Sequence, residues 1–199
     1  MSRLPLGSCL FTLVLGCASS QASSQGAEPA YSMGQQAGEP LRVQGRHITG
    51  PSSSLVITDN GLRGNYLGQP VDLTWTWQEL TGSVGGAAAR LELAEGDDIH
   101  VKGYFGGARV DYVLNSTWFI GRVGTCDYTF LRYARGFLGR RSCSGPLEGD
   151  IRVNFPAPLL ERPLGEKTAL LLLAFVNTTG STSSVVDPAR RAAPPDRLQ

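Results

Sequence analysis

The strongest constraint on this chain is a repeat. Residues 62–73 read LRGNYLGQPVDL and residues 101–112 read VKGYFGGARVDY. Both run apolar, basic, Gly, with an aromatic fifth, a Gly seventh and Val-Asp-apolar at the close. Looser copies begin at Val43, Leu80 and Phe119, and Leu147 opens a worn sixth. Starts at 43, 62, 80, 101 and 119 give a period of about 20 residues, so a repeat architecture is the first thing to consider.

Each copy reads as a β-hairpin. A short run alternates apolar and other residues, a Gly-containing turn follows, and a second alternating run returns, as in Val71, Leu73, Trp75, Trp77. Gly supplies the positive φ that tight hairpins require, and Asn60-Gly61 is a strong turn signal between units. The third-position glycines (Gly45, Gly64, Gly82, Gly103, Gly121) are expected where the strand bends sharply or a neighbour uses the space of a side chain. The chain contains 25 Gly, and only 18% of its residues are charged, a turn-rich profile that suits an all-β protein. The expected fold is an all-β antiparallel meander of ten to twelve strands closing into a barrel or packing as a two-sheet sandwich, with a β-solenoid as the alternative. Thr168 to Val176, TALLLLAFV, is read as a strand buried on both faces, a buried helix being the other possibility.

The N-terminus is an address. MSRLPLGSCLFTLVLGC carries one charge, Arg3, then the apolar run Leu10–Leu15, then small residues, the order of an export signal. The run is too short for a bilayer, which needs about 20 residues. Val14-Leu15-Gly16-Cys17 resembles the lipobox of bacterial lipoproteins. That resemblance implies cleavage before Cys17, a diacylglycerol on its thiol and an acyl chain on its new amino group. Two or three chains make a stable anchor where one is marginal. By the same resemblance, Ala18 rather than Asp after the Cys directs the protein to the outer membrane. Four regions are therefore expected: a signal peptide (1–16), a lipid anchor and Ser/Gln/Gly-rich flexible tether (17–41), an all-β repeat domain (42–176) and a disordered tail (177–199).

With Cys17 lipidated and Cys9 removed, Cys126 and Cys143 remain as an even pair, expected to form a disulfide in an exported protein. The segment between them is read as a loop that breaks the repeat. It holds Arg132, Arg135, Arg140 and Arg141, a candidate site for phosphate or carboxylate groups of an anionic envelope component.

Motifs of catalysis are absent: there is no G-x-S-x-G, H-E-x-x-H or phosphate-binding loop. The net charge of +1 provides no field for nucleic acid. Asp72 and Asp111 recur through duplication and are expected to face outward, while Trp75, Trp77, Trp118, Tyr66, Tyr112 and Phe105 are expected in the core. No metal is expected, and no cofactor beyond the covalent lipid. The expected function is that of a non-enzymatic, membrane-anchored envelope lipoprotein with a binding or structural domain, partnered by the lipid bilayer; the alternative is a barrel carrying a small lipophilic ligand.

Overall fold

A computed structural model describes residues 28–36, 38 and 40–176. The signal peptide, Cys17, tether residues 18–27 and the tail from 177 lie outside the described residues. Fourteen strands follow in chain order. They are β1 (Ala30–Gln35), β2 (Leu41–Gln44), β3 (His47–Gly50), β4 (Ser53–Thr58), β5 (Gly61–Tyr66), β6 (Gln69–Trp75) and β7 (Glu79–Val84), then β8 (Ala87–Glu95), β9 (Ile99–Phe105), β10 (Ala108–Leu114), β11 (Trp118–Val123), β12 (Cys126–Tyr133), β13 (Gly136–Cys143) and β14 (Glu148–Asn154). Two helices end the described chain, α1 (Ala157–Leu160) and α2 (Leu164–Val176).

Every strand pairs antiparallel with its sequence neighbours, and β14 returns to β1, so the meander closes into a barrel. Neither a sandwich nor a solenoid forms, and the strands number fourteen rather than ten to twelve. The ring also takes in Ala30–Gln35 and Leu41, which the sequence reading left in the tether. Closure rests on two register pairs, Gly34↔Asn154 and Gln35↔Val153.

The duplicated phrase is one hairpin folded on itself. In the first copy Leu62 pairs Leu73, Arg63 pairs Asp72 and Gly64 pairs Val71. In the second, Val101 pairs Tyr112, Lys102 pairs Asp111 and Gly103 pairs Val110. The basic residue and the aspartate are thus cross-strand partners on the outer face, which is why they recur together. The glycines recur for a different reason. Gly64 and Gly103 have φ of 136° and 141°, and a Cβ on either would overlap a carbonyl oxygen of the preceding strand, that of Ser54 or Arg90. Backbone, not an aromatic ring, fills the space a side chain would take.

Alternation sorts the wall. Inward positions such as Val43, Leu55, Leu73, Leu91, Val110 and Phe130 are buried. Outward positions carry Arg63, Asp72, Arg90, Lys102, Asp111 and Arg122, all exposed. A lipid-embedded barrel has the reverse polarity, and each outward Arg or Lys would cost about 2–4 kcal/mol at a bilayer midplane.

Geometry then explains α2. At the usual strand spacing and tilt, fourteen strands put the backbone roughly 14 Å from the barrel axis, against about 8 Å for eight strands. Wall side chains reach about 5 Å inward, half the usual spacing of packed sheets, and cannot fill so wide a lumen. A helix, about 10–12 Å across with side chains, can. TALLLLAFV is therefore the core of α2 and not the doubly buried strand that its unbroken apolar run suggests. Its Leu and Ala favour helix, and a helix apolar on every side belongs in an interior. Ala169, Leu170, Leu171, Leu172, Leu173, Ala174 and Phe175 are all 0–1% exposed. Phe175 stacks on Phe119 at 4.6 Å and lies edge-on to Tyr128 at 5.0 Å.

The helix goes in at the end of the barrel where β1 begins, here the entry end. Arg162 pairs Glu166 and donates to the Gly45 carbonyl, and Lys167 pairs Glu95 at 3.1 Å. Trp75 packs against Gly165, where no side chain fits. Deeper in, the Tyr66 hydroxyl donates to the Leu173 carbonyl at 2.7 Å, satisfying an oxygen of the last helical turn.

Burial raises the pKa of the Tyr66 and Tyr112 phenols far above their ordinary value of 10.0, with Thr168 offsetting a little of the rise at Tyr112. The folded protein therefore keeps protons that the unfolded chain loses, so this stability is complete below about pH 10 and declines as pH rises further. Denaturant unfolding should show stability falling as pH rises through about 10 to 11, with a shallower slope for Tyr66→Phe. A flat profile would contradict these buried phenols.

Candidate functional site

Cys126 and Cys143 sit opposite one another in β12 and β13 and form the disulfide, with their Cα atoms 4.1 Å apart. The bridge spans 17 positions, which in the chain-entropy account contributes about 3 kcal/mol. The segment between them does not break the repeat: it is another register-paired hairpin, turning at Ala134 and Arg135.

The four arginines consequently point in different directions. Arg132 lines a pocket of about 230 Å³ at the entry end with Glu95, Asp97, Asn115 and Lys167. Arg135 is exposed in the turn, and Arg140 is exposed on the outer wall. Arg141 is largely buried and donates to Gln35 Oε1 at 3.2 Å and Glu148 Oε2 at 2.6 Å. It joins β1, β13 and β14 where the ring closes. A single anion site built from all four does not form.

Three of the cross-strand rows on the outer wall between β8 and β14 bear on the site. The first is Glu92, Lys102, Asp111, Arg122 and Asp127, each in register with the next, and its charges alternate in sign. Arg122 grips Asp127 at 2.9 Å, and that hydrogen bond holds the Asp127 carboxyl below its ordinary pKa. These charges are exposed, so each pair adds little stability. The row nevertheless gives Asp111 a role: it lies between Lys102 and Arg122 on the outer face, as Asp72 lies beside Arg63.

Two rows nearer the entry end are different. One runs His100, Val113, Ile120, Thr129, followed by Arg140. The other runs Trp118, Leu131, Leu138, Arg152. Leu131 is 64% exposed and Ile120 44%, and Trp118, Val113 and Leu138 are partly exposed beside them. Here an apolar patch meets arginines at its β13–β14 edge. Arg140, Arg152 and Arg135 have no ion pair among the described residues, whereas Arg46, Arg63, Arg90 and Arg122 each hold a carboxylate.

The sequence reading missed this patch and placed Trp118 in the core. Its signal was a set of apolar doublets, Val113-Leu114, Phe119-Ile120, Phe130-Leu131 and Phe137-Leu138. In a strand with one core face, each doublet turns an apolar residue outward. Trp77 also leaves the core, at 76% exposed, because β6 ends at Trp75 and the Thr76 hydroxyl accepts from Gln78 and Glu79 N–H groups in a turn. Among the described residues, no three His, Cys, Asp or Glu side chains gather as a metal site.

No protein-family model matches the chain, and no curated protein or solved structure matches it.

Proposed function

We propose that this protein is an envelope lipoprotein held to the membrane through acylated Cys17, with its barrel serving as a non-enzymatic binding or structural module. The observation that carries the reading is the export signal ending in Leu15-Gly16-Cys17, followed by a short Ser- and Gln-rich segment before β1. The packed lumen supports a module that works by its outer surface. A carrier of lipophilic ligands needs interior space, and α2 takes that space with side chains from Ala169 to Phe175. The absence of catalytic motifs in the sequence agrees with a binding or structural role, and Ala18 after the Cys directs the protein to the outer membrane.

Mass spectrometry of the N-terminal peptide from a bacterial host is the test. The expected peptide begins at Cys17 and bears a diacylglycerol with an added amide-linked chain, and Cys17→Ser loses both the lipid and membrane retention. An unmodified peptide beginning beyond residue 18 would refute the anchor.

A further inference from the structure

We propose that the entry-end wall of β10–β14 is a docking surface for an anionic lipid bilayer. The proposal rests on the lipid-anchor reading and names the surface that the anchored domain presents.

Three features converge there. First, Trp118, Ile120, Leu131 and Leu138 form an outward apolar patch two rows deep, whereas Val56 and Tyr104, the other large exposed apolar residues of the strand wall, stand among charged cross-strand neighbours. Tryptophan favours the headgroup level of a bilayer, where its ring is sheltered and its N–H stays wet. Second, Arg140, Arg152 and Arg135 stand at the edge of the patch with no ion pair among the described residues, Arg152 sharing a surface groove with Glu148 and Asp150. Juxtamembrane arginines of this kind are attracted to anionic headgroups. The neighbouring row, from Glu92 to Asp127, neutralises each charge in register and offers a bilayer nothing comparable.

Third, the chain's path attaches the anchor at this end of the barrel, beside this wall. The segment from Cys17 enters the barrel at Ala30, at the same end as Trp118 and Leu131. Those 13 residue steps extend at most about 45 Å, which is enough for the entry end to reach the bilayer that holds the anchor. β1 is hydrogen-bonded to β14, the strand that carries Arg152. An apolar patch beside arginines that hold no ion pair among the described residues, tethered to a lipid anchor, fits a negatively charged bilayer.

Vesicle co-sedimentation tests the proposal. The full chain with Cys17→Ser removes the acyl anchor, and every wall variant is made in that background. The probes are vesicles of phosphatidylcholine with phosphatidylglycerol, and vesicles of phosphatidylcholine alone. The parent should favour the anionic vesicles by tenfold or more. Leu131→Asp, and separately Arg140→Glu with Arg152→Glu, should reduce that preference at least tenfold. Val56→Asp, on β4 across the ring, should leave it unchanged. Circular dichroism melts confirm that each variant is folded, and the exposed double arginine variant stands if Leu131→Asp does not fold.

Wall variants that bind like the parent would overturn the proposal. So would a dimer in vesicle-free solution that Leu131→Asp abolishes without changing vesicle binding, because the patch would then belong to a second copy. The anchor is read separately at the N-terminal peptide. Acylated Cys17 with an indifferent wall overturns the docking surface alone. Selective vesicle binding by the wall supports the surface even where Cys17 is found unmodified, and that finding would remove the anchor alone.

Discussion

Leu172→Asp should leave the chain unable to form its barrel. Leu172 is 0% exposed at the centre of α2, enclosed by the fourteen-stranded wall. The substitution removes a buried leucine, which alone costs about 2–5 kcal/mol, and leaves a carboxylate with no counter-charge in an apolar interior. Together these approach the whole stability of an ordinary domain, about 5–15 kcal/mol. Leu172→Ala is the graded version, expected to fold and to lose about 2–5 kcal/mol in denaturant unfolding. Were Leu172→Ala to stay within about 1 kcal/mol of the parent, α2 would not be the core of the molecule. The helix packs against β1, β5, β7, β8 and β11, so its loss removes support from strands around the ring.

Gly103→Val should cost at least about 3 kcal/mol. The residue's φ of 141° is one that L-residues rarely adopt, and strain of that kind costs about 1–3 kcal/mol. The added Cβ would also overlap the Arg90 carbonyl oxygen, so the β8–β9 pairing must shift to admit it. Gly64→Val meets the same obstacle at the Ser54 carbonyl and should cost about as much. Gly86 is the contrast. It lies in a turn at φ 79° with nothing within 4 Å of a Cβ, so Gly86→Asn should cost less than about 1 kcal/mol. Thermal melts of the three variants measure the difference. Equal melting temperatures for Gly103→Val and Gly86→Asn would show that backbone crowding is not what these positions are for.

The hairpins were legible because a strand with one buried face writes its period of two directly into the residues, as Val71, Leu73 and Trp75 do. The Cys126–Cys143 bridge was legible too, since an exported chain left with two cysteines tends to join them. Closure was harder to read. It depends on Gly34 and Gln35 meeting Asn154 and Val153, and four residues leave too slight a pattern to tell a ring from a sandwich. For α2, a run of nine residues that is apolar after Thr168 looks alike as a doubly buried strand and as a doubly buried helix. Composition was the signal that could have separated them, since leucine and alanine outnumber the β-branched residues. The arginines misled because adjacent residues of one strand face opposite ways. Arg140 turns to solvent, while Arg141, just past a register shift after Gly139, turns toward Gln35. Their nearness in sequence says little about nearness of charge in space.

Filling the ring with one helix has a consequence for how such a chain can evolve. In an open array, units can be gained or lost almost freely, because each contacts only its neighbours. Here one more hairpin would lengthen the circumference and widen the radius by about 2 Å on every side of α2. The gap would leave wall and helix out of contact, and each methyl-sized void costs about 1 kcal/mol. One fewer would crush the same side chains. The copy number is thus locked to the girth of a single α-helix, and duplication, having built the wall, can no longer change it without replacing the plug.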